Sequence, residues 1–506
     1  MTREGNGLRE ITIDNFAGGG GASTAIELAT GRPVDAAVNH DPAAITMHEA
    51  NHPETAHYCE SVWDVKPSEV TKGRPVGIAW FSPDCTHFSI ARGGKPADKK
   101  IRGLAWVAIR WAATVKPRVI YLENVKEFLT WGPLLPDGRP DPKKVGKIFR
   151  SFIRQLREHG YEVEWRLVKA CDYGAPTGRE RLILIARCDG RPIVWPKQTH
   201  ADRRSPAVAA GRLSAYRSAA EIIDWSIPCR SIFNRDRPLV EKTMRRLALG
   251  TFKFVINEQD PFILPHEQMI AVPWIMRQFG QSVGSSLNDP IGTITAGGGG
   301  KSQLVTAFLS SYYTETNTKE VRGSSLKDPL QTITAGGNRF ALVTSHLTKF
   351  RGTNIGTDIR EPIPTITAGG QHIGQVYAFL TAYYGASIGQ DIRDPINTIV
   401  TKDRFGLVVI KGTPYQIVDI CMRMLTPREL YRGQGFPESY IIDPIFNGKP
   451  LTQTEQVKKV GNSVSPQMAA AIIRANQPEM CVGSGNVLTL SKYHAAEQQG
   501  QLAMNL

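Results

Sequence analysis

The sequence predicts an α/β fold: a parallel sheet covered by helices on both faces, with a β-rich region inserted late in the chain. Two observations carry the first part. Over roughly the first 190 residues, short apolar runs of the buried-strand kind alternate with segments of helical period. From Tyr415 to Asn476 helical patterns return. Between them, from about residue 265 to 410, the helical period fades, β-branched and aromatic residues take over, and one short motif recurs.

The elements follow in order. Ile11 to Phe16 is an apolar run ending in a glycine cluster, and Ala22 to Ala29 follows as a helix. Val34 to Val38 reads as a second strand and Pro42 to Ala50 as a second helix. Val76 to Phe81 and Val119 to Leu122 are strands of the buried type. Val145 to His159 carries apolar residues at helical spacing (Val145, Ile148, Phe149, Phe152, Ile153, Leu156), and Leu182 to Ala186 is a further apolar run. In the β-rich region DPIGTITAGG from Asp289 is followed by DPLQTITAGG from Asp328, EPIPTITAGG from Glu361 and DPINTIVT from Asp394. An upstream half recurs as AFLSSYY from Ala307 and AFLTAYY from Ala378, with HLTKF from His346 as a weaker copy. Each unit reads as a strand, a polar loop, a turn at Asp/Glu-Pro and a short Thr-Ile-Thr strand ending in glycines. Such units build a β core, or also offer loops to a partner. In the return segment, Thr426-Pro427-Arg428-Glu429 starts a helix with a hydroxyl N-cap, proline in the first turn and glutamate at N3. Pro466 to Ala475 is another helix, and a polar tail follows Pro478.

Composition narrows the function classes. The 506 residues call for two or three domains, and a net charge of +14 favours a polyanionic partner. Seven cysteines, an odd number without a CxxC pair, argue against a disulfide framework. The charged N-terminus is unlike a signal peptide, and no apolar run approaches the roughly 18 residues of a membrane helix.

Four stretches carry chemistry. Asp14-Asn-Phe-Ala-Gly18-Gly-Gly-Gly21 sits between the first strand and first helix, where glycines let a backbone approach a ligand or simply make a turn. Ser82-Pro-Asp-Cys85-Thr-His-Phe-Ser89 follows a buried strand and puts one cysteine at its carboxyl end: a nucleophile, an inert thiol, or with His57, Cys59 and His87 a metal ligand, though the spacing is unlike the usual pairs. Glu123-Asn124-Val125 ends another apolar strand and offers an acid–base carboxylate. Arg179 and Arg181, two apart at a strand start, point to one face, as part of a site or of a solvated basic edge.

Together these stretches resemble the cytosine-5 DNA methyltransferases of bacterial or phage type. The glycine loop is similar to the family's D-x-F-x-G-x-G-G. SPDC…FS is similar to P-C-Q-x-F-S, and ENV matches as it stands. Thr177 to Arg181 resembles Q-x-R-x-R. RMLTPRE through Gly435-Phe-Pro437 resembles R-x-L-T-P-R-E…G-F-P, and Gly461-Asn-Ser-Val464 the final G-N-S/A-V. All six stand in the family's order. This chain departs at Asp84, Thr86, Thr177, Asn39-His40-Asp41 and Ser61-Val62.

The resemblance implies a Rossmann-like sheet that binds S-adenosylmethionine (AdoMet), plus a β-rich target-recognition domain. It implies Cys85 as covalent nucleophile on cytosine carbon 6, Glu123 as the acid at ring nitrogen 3, and Arg181 with Arg179 backing the carboxylate and the base. AdoMet would meet Asp14, Phe16, Ala17, Gly18, Gly20, Asn39, His40, Asp41, Ser61, Val62, Asn462 and Val464. A flipped cytosine would meet Ser82, Pro83, Ser89 and Asn124. Residues 1–195 would begin the catalytic domain, 196–412 recognise the target, 413–476 complete the catalytic domain and 477–506 form a tail. Arg322, Lys349, Arg351, Arg360 and Arg404 would grip phosphates. The expected partner is double-stranded DNA, with no membrane and no metal, for a monomer in the cytoplasm of a bacterium or phage-infected host. Other readings are an RNA cytosine methyltransferase, a non-catalytic DNA-binding protein on this scaffold, and an exocyclic-amino methyltransferase, whose loop would need an aromatic residue that Ser82-Pro83-Asp84-Cys85 lacks.

Overall fold

The computed structural model describes residues 9–83, 103–136, 139–232, 237–251, 255, 262–266, 269–277, 284–294, 302–311, 413–482 and, between 340 and 410, short strand segments. It divides into two compact units: Met1–Asp224 with Asp289–Gly300 and Leu425–Leu506, and Trp225–Asn288 with Lys301–Met424. Residues 196–224 and 289–300 thus go with the first unit, and 413–424 with the second.

The first unit holds a seven-stranded sheet. Its strands are β1 (Ile11–Asn15), β2 (Ala36–Val38), β3 (Ala56–Tyr58), β4 (Val76–Phe81), β5 (Val119–Asn124), β6 (Glu162–Lys169) and β7 (Glu180–Arg187). They lie in the order β3-β2-β1-β4-β5-β7-β6. The first five run parallel. β7, however, is antiparallel to both β5 and β6, so the sheet is mixed where the sequence predicted parallel strands. The physical reason is the link Ala170–Arg179, which is shorter than the crossover that adjacent parallel strands need. β6 escaped the sequence reading because it is an edge strand, buried only at Val163 and Val168.

Alternation along the strands sends side chains to two separate cores. On one face Ile11, Ile13, Phe81, Ile120 and Leu122 pack with the helices Trp106–Thr114 and Lys147–Glu158. On the other, Ile78, Trp80, Tyr121, Ile183 and Ile185 pack with α1 (Gly21–Thr30) and the return helix Pro466–Asn476. Each such aliphatic or aromatic side chain contributes about 1.5–3 kcal/mol by leaving water. The end of the chain thereby completes the layer over its first helix. Val145, predicted on an apolar helix face, is exposed; the helix starts two residues later, after Gly146 at φ 69°.

The predicted capping box is present. Thr426 Oγ1 accepts from the Glu429 N–H at 3.3 Å, while Glu429 Oε2 accepts from the Thr426 N–H at 2.7 Å. Glu429 Oε1 also accepts from the Asp224 N–H at 2.8 Å.

The second unit is β-rich. Ser302–Ser311 pairs antiparallel with Met269–Arg277 on one side and Thr413–Met424 on the other, so the first AFLSS half-repeat is a strand as predicted. The Thr-Ile-Thr half differs. In the first copy Asp289 lies in a bend, but Thr293 and Ile294 form no strand; Ile291 instead makes an isolated bridge to Thr177. The corresponding halves of the other copies lie outside the described residues, as do Arg322, Arg351, Arg360 and Arg404. Among the described residues no helix is long and apolar enough to cross a membrane, and no cluster of three or more His, Cys, Asp or Glu could hold a metal.

Candidate active site

The strand order reverses between β1 and β4, and at such a switch point the carboxyl ends of the strands are where open α/β sheets take ligands. The glycine loop leaves β1 there and Ser82-Pro83 leaves β4. The Ser82 N–H donates to Asn15 O at 3.3 Å, and Trp80 Nε1 donates to Ser82 Oγ at 2.9 Å.

The glycines divide their work. A Cβ on Gly19 would meet Ser463 Oγ at 2.9 Å, on Gly20 the Tyr440 hydroxyl at 2.1 Å, and on Gly21 Val464 O at 2.3 Å. At these three positions a side chain would run into the returning segment, so glycine is needed there for packing. Only a Cβ on Gly18 meets open space, apart from Phe16 O at 3.6 Å. Gly20 also sits at φ +80°. Gly20→Ala is therefore expected to destabilise the fold by at least about 1–3 kcal/mol from backbone strain alone. A denaturation midpoint equal to wild type would show that the loop relaxes away from Tyr440.

Below the loop runs a buried polar chain. Ser23 Oγ donates to Asp14 Oδ2 at 2.7 Å, and His48 Nε2 lies 2.8 Å from Ser23 Oγ. While Asp14 is ionised and takes the Ser23 proton, His48 donates from Nε2 and accepts at Nδ1, where His57 Nε2 stands 2.8 Å away. His52 pairs with Glu27 at 2.8 Å, and Tyr440 donates to Gly19 O at 2.8 Å. Local sequence patterns missed this network; its only trace is the spacing of His48, His52 and His57. Burial pushes the Asp14 carboxyl up to about 7, against the lowering by its bond from Ser23. Burial, with the His52 and His57 imidazoles, holds His48 well below its ordinary value.

The two groups act in opposite senses. As pH falls below about 6.5 the unfolded chain takes up a proton that folded His48 refuses, which costs about 1.4 kcal/mol per pH unit until the folded value is reached. Asp14, raised, loses stability as pH climbs from its ordinary value toward 7, so acidification restores some. His48→Gln should therefore lose less stability than wild type between about pH 7.5 and 5.5. Equal losses in chemical denaturation would mean that His48 is solvated at neutral pH.

Beyond β2, Asn39 Oδ1 accepts from the Asp41 N–H at 2.9 Å, and Asp41 Oδ1 accepts from the Ala43 N–H at 3.0 Å, capping the helix Pro42–Asn51. Asp41 Oδ2 is ion-paired with Lys459, which is 4% exposed. Burial opposes the Asp41 charge, but the Lys459 bond and charge outweigh it and hold the carboxyl below its usual range. Asp41 is thus committed to the fold, while His40 faces solvent. A cavity of about 630 Å³ opens beside His40 and Lys449, but it includes neither residues 14–18 nor Glu123. Ser61 accepts from the Trp63 N–H at 3.3 Å, Val62 is core, Ala17 and Val464 are buried, and Asn462 is exposed.

At the end of β5, Glu123 is 6% exposed. Its Oε1 lies 3.0 Å from Arg181 Nε and 3.6 Å from Arg179 Nη2, so both arginines face one carboxylate. The β5–β7 register sets this up by placing Ile183 opposite Glu123. Asn124 is structural on both sides: Nδ2 donates to Pro83 O at 3.3 Å and Oδ1 accepts from the Val125 N–H at 2.9 Å. It binds the end of β4 to the end of β5. Cys85 and Ser89 lie outside the described residues.

A family model of the C-5 cytosine-specific DNA methylases matches residues 11–224 and 307–477. The chain belongs to this family. Among curated proteins, it is 33% identical to the type II methyltransferase M.XorII of Xanthomonas oryzae pv. oryzae over 199 residues, covering 38% of this chain and 44% of the relative. It is 28% identical to the type II methylase M.HgiDII of Herpetosiphon aurantiacus over 214 residues, or 40% of this chain and 54% of the relative. The chain spans about half the length of the curated relatives it matches. Among solved structures, the S. pombe Dnmt2 methyltransferase aligns over 93% of this chain and 99% of its own at 13% identity, with a TM-score of 0.47.

Proposed function

We propose that this protein is a DNA cytosine-5 methyltransferase that uses AdoMet as methyl donor, acting as a cytoplasmic monomer on double-stranded DNA. The observation that carries the reading is the carboxylate of Glu123, buried between Arg179 and Arg181, one residue before the asparagine that holds Pro83. Cys85 stands two residues beyond Pro83 in sequence. The charge of +14 suits a polyanion.

Cytosine carbon 5 is too weak a nucleophile to take a methyl group unaided. The Cys85 thiolate adds to carbon 6, and Glu123 supplies the proton that ring nitrogen 3 needs as electrons move into the ring. Arg181 holds Glu123 from the side. Carbon 5, now the electron-rich end of an enamine, would take the methyl that AdoMet supplies, with S-adenosylhomocysteine as the leaving group. A base then takes the carbon 5 proton, ring nitrogen 3 returns its proton to Glu123, and the Cys85–carbon 6 bond breaks. Because a stacked base is out of reach, the cytosine is flipped out of the helix.

The residues at the loop suit AdoMet. Asp14 Oδ1 and Asn15 Nδ2 are buried with no partner among the described residues, an acceptor and a donor at the end of β1 from which the glycine loop leaves. AdoMet, when bound, supplies the electrophilic methyl; Phe16, Ala17 and Gly18 would hold it, with Asn39 and His40 at its sugar. Residues 196–412 serve largely as the target-recognition region.

The test uses labelled AdoMet with duplex DNA or tRNA, followed by bisulfite sequencing of the DNA. Label on DNA carbon 5 is expected. Label confined to tRNA would favour an RNA enzyme, and DNA binding without transfer a non-catalytic protein.

A further inference from the structure

The first repeat is not simply part of the inserted β region. Its described half, Asp289–Ile294, belongs to the same compact unit as the candidate site. Its main chain is gripped along its length. The Ala219 N–H donates to Asp289 O at 2.8 Å, the Ile291 N–H donates to Pro176 O at 3.1 Å, and the Gly178 N–H donates to Ile291 O at 2.7 Å. Ile291 and Ile294 are buried against the helix Pro427–Gln434, where a Cβ on Gly433 would meet Ile222, Ile291 and Ile294 at 3.2–3.3 Å.

Arg179 joins this dock to the carboxylate. It is 3% exposed. Its Nη1 donates to Ile294 O at 3.2 Å and to Gly461 O at 3.0 Å, while Nη2 faces Glu123 Oε1 at 3.6 Å. One guanidinium thus spans the repeat, the returning segment and the acid. A buried guanidinium holds its place only while its donors find acceptors, since desolvation costs several kcal/mol. Removing the Ile294 carbonyl leaves an unmet donor beside Glu123, and the planar fork must reorient.

We propose that seating Asp289–Ile294 in the dock of Pro176, Gly178, Arg179 and Gly433 sets the position of Arg179, and through it the Glu123 carboxylate. Arg179 is then a positioning residue, and the repeat element is the link by which the inserted recognition region governs the chemical step. This rests on Glu123 being the acid of the proposed reaction. Chain continuity gives the link its reach: the docked residues lie between strand Gly284–Ser286 and strand Ser302–Ser311 of the second unit.

The experiment compares full-length wild type, Gly433→Val, Arg179→Lys and the double variant. Gly433→Val pushes the two isoleucines out without touching the arginine; Arg179→Lys keeps a charge near Glu123 but cannot span both carbonyls. Dissociation constants for target duplex and AdoMet are measured first, then the single-turnover rate with both saturating. Each variant is expected to lose about 100-fold in that rate, as misplacement of a catalytic group does, with both dissociation constants little changed. The double variant should be no slower than the worse single one, because both break the same link. An unchanged saturated rate in either folded variant, a loss confined to DNA affinity, or additive losses would overturn the link. A wild type that transfers no methyl to DNA cytosine would instead overturn the functional reading, and the inference with it.

Discussion

Cys85→Ala is expected to leave a protein that binds duplex DNA and AdoMet but transfers no methyl group, a loss on the order of 10⁶-fold, the scale seen when a covalent nucleophile is removed. The size follows from the chemistry: without a thiolate on carbon 6 there is no enamine, and carbon 5 has no electron pair to offer. The loss should fall on the rate and not on affinity, because the elements that recommend themselves for cofactor binding, Asp14 to Gly18, belong to another strand end. Two measurements check this. Label transfer from AdoMet to DNA should vanish, and the covalent complex with 5-fluorocytosine DNA, stable to denaturing gels in wild type, should not form. An alanine variant that still forms the adduct would move the nucleophile to another residue.

The second large effect is expected of Glu123→Gln. As an amide the side chain keeps its shape but cannot give a proton to ring nitrogen 3, and the rate should fall by about 10²–10⁴-fold. A structural cost accompanies it. Glu123 balances two arginines, one of them almost wholly buried, and breaking a buried pair costs about 3–5 kcal/mol. Stability and chemistry must therefore be separated. The variant is first shown to be folded at the assay temperature, then its single-turnover rate is measured with DNA and AdoMet saturating. A folded Glu123→Gln protein with the wild-type rate would remove the carboxylate from the reaction and leave it as a counter-ion for Arg179 and Arg181.

Much of the architecture could be read along the chain. β4 and the first four residues of β5 announce themselves as continuous apolar runs because both faces of a central strand are buried. Glu123 stood out as a polar residue at the end of such a run. The Thr426 cap was legible because a capping box is a matter of three residues and a turn.

What only the tertiary structure decided has partners far off in sequence. Gly19 to Gly21 are glycine because of Tyr440, Ser463 and Val464; Asp41 is spent on Lys459; Arg179 bridges Ile294 and Gly461; Asp14 is held near neutrality by burial under α1. The antiparallel turn of β7 was likewise invisible. Periodicity and turn chemistry report local free energies, which neighbouring residues set. Which buried donor meets which acceptor is set by packing between segments hundreds of residues apart, and a pattern of nearest neighbours carries no record of it.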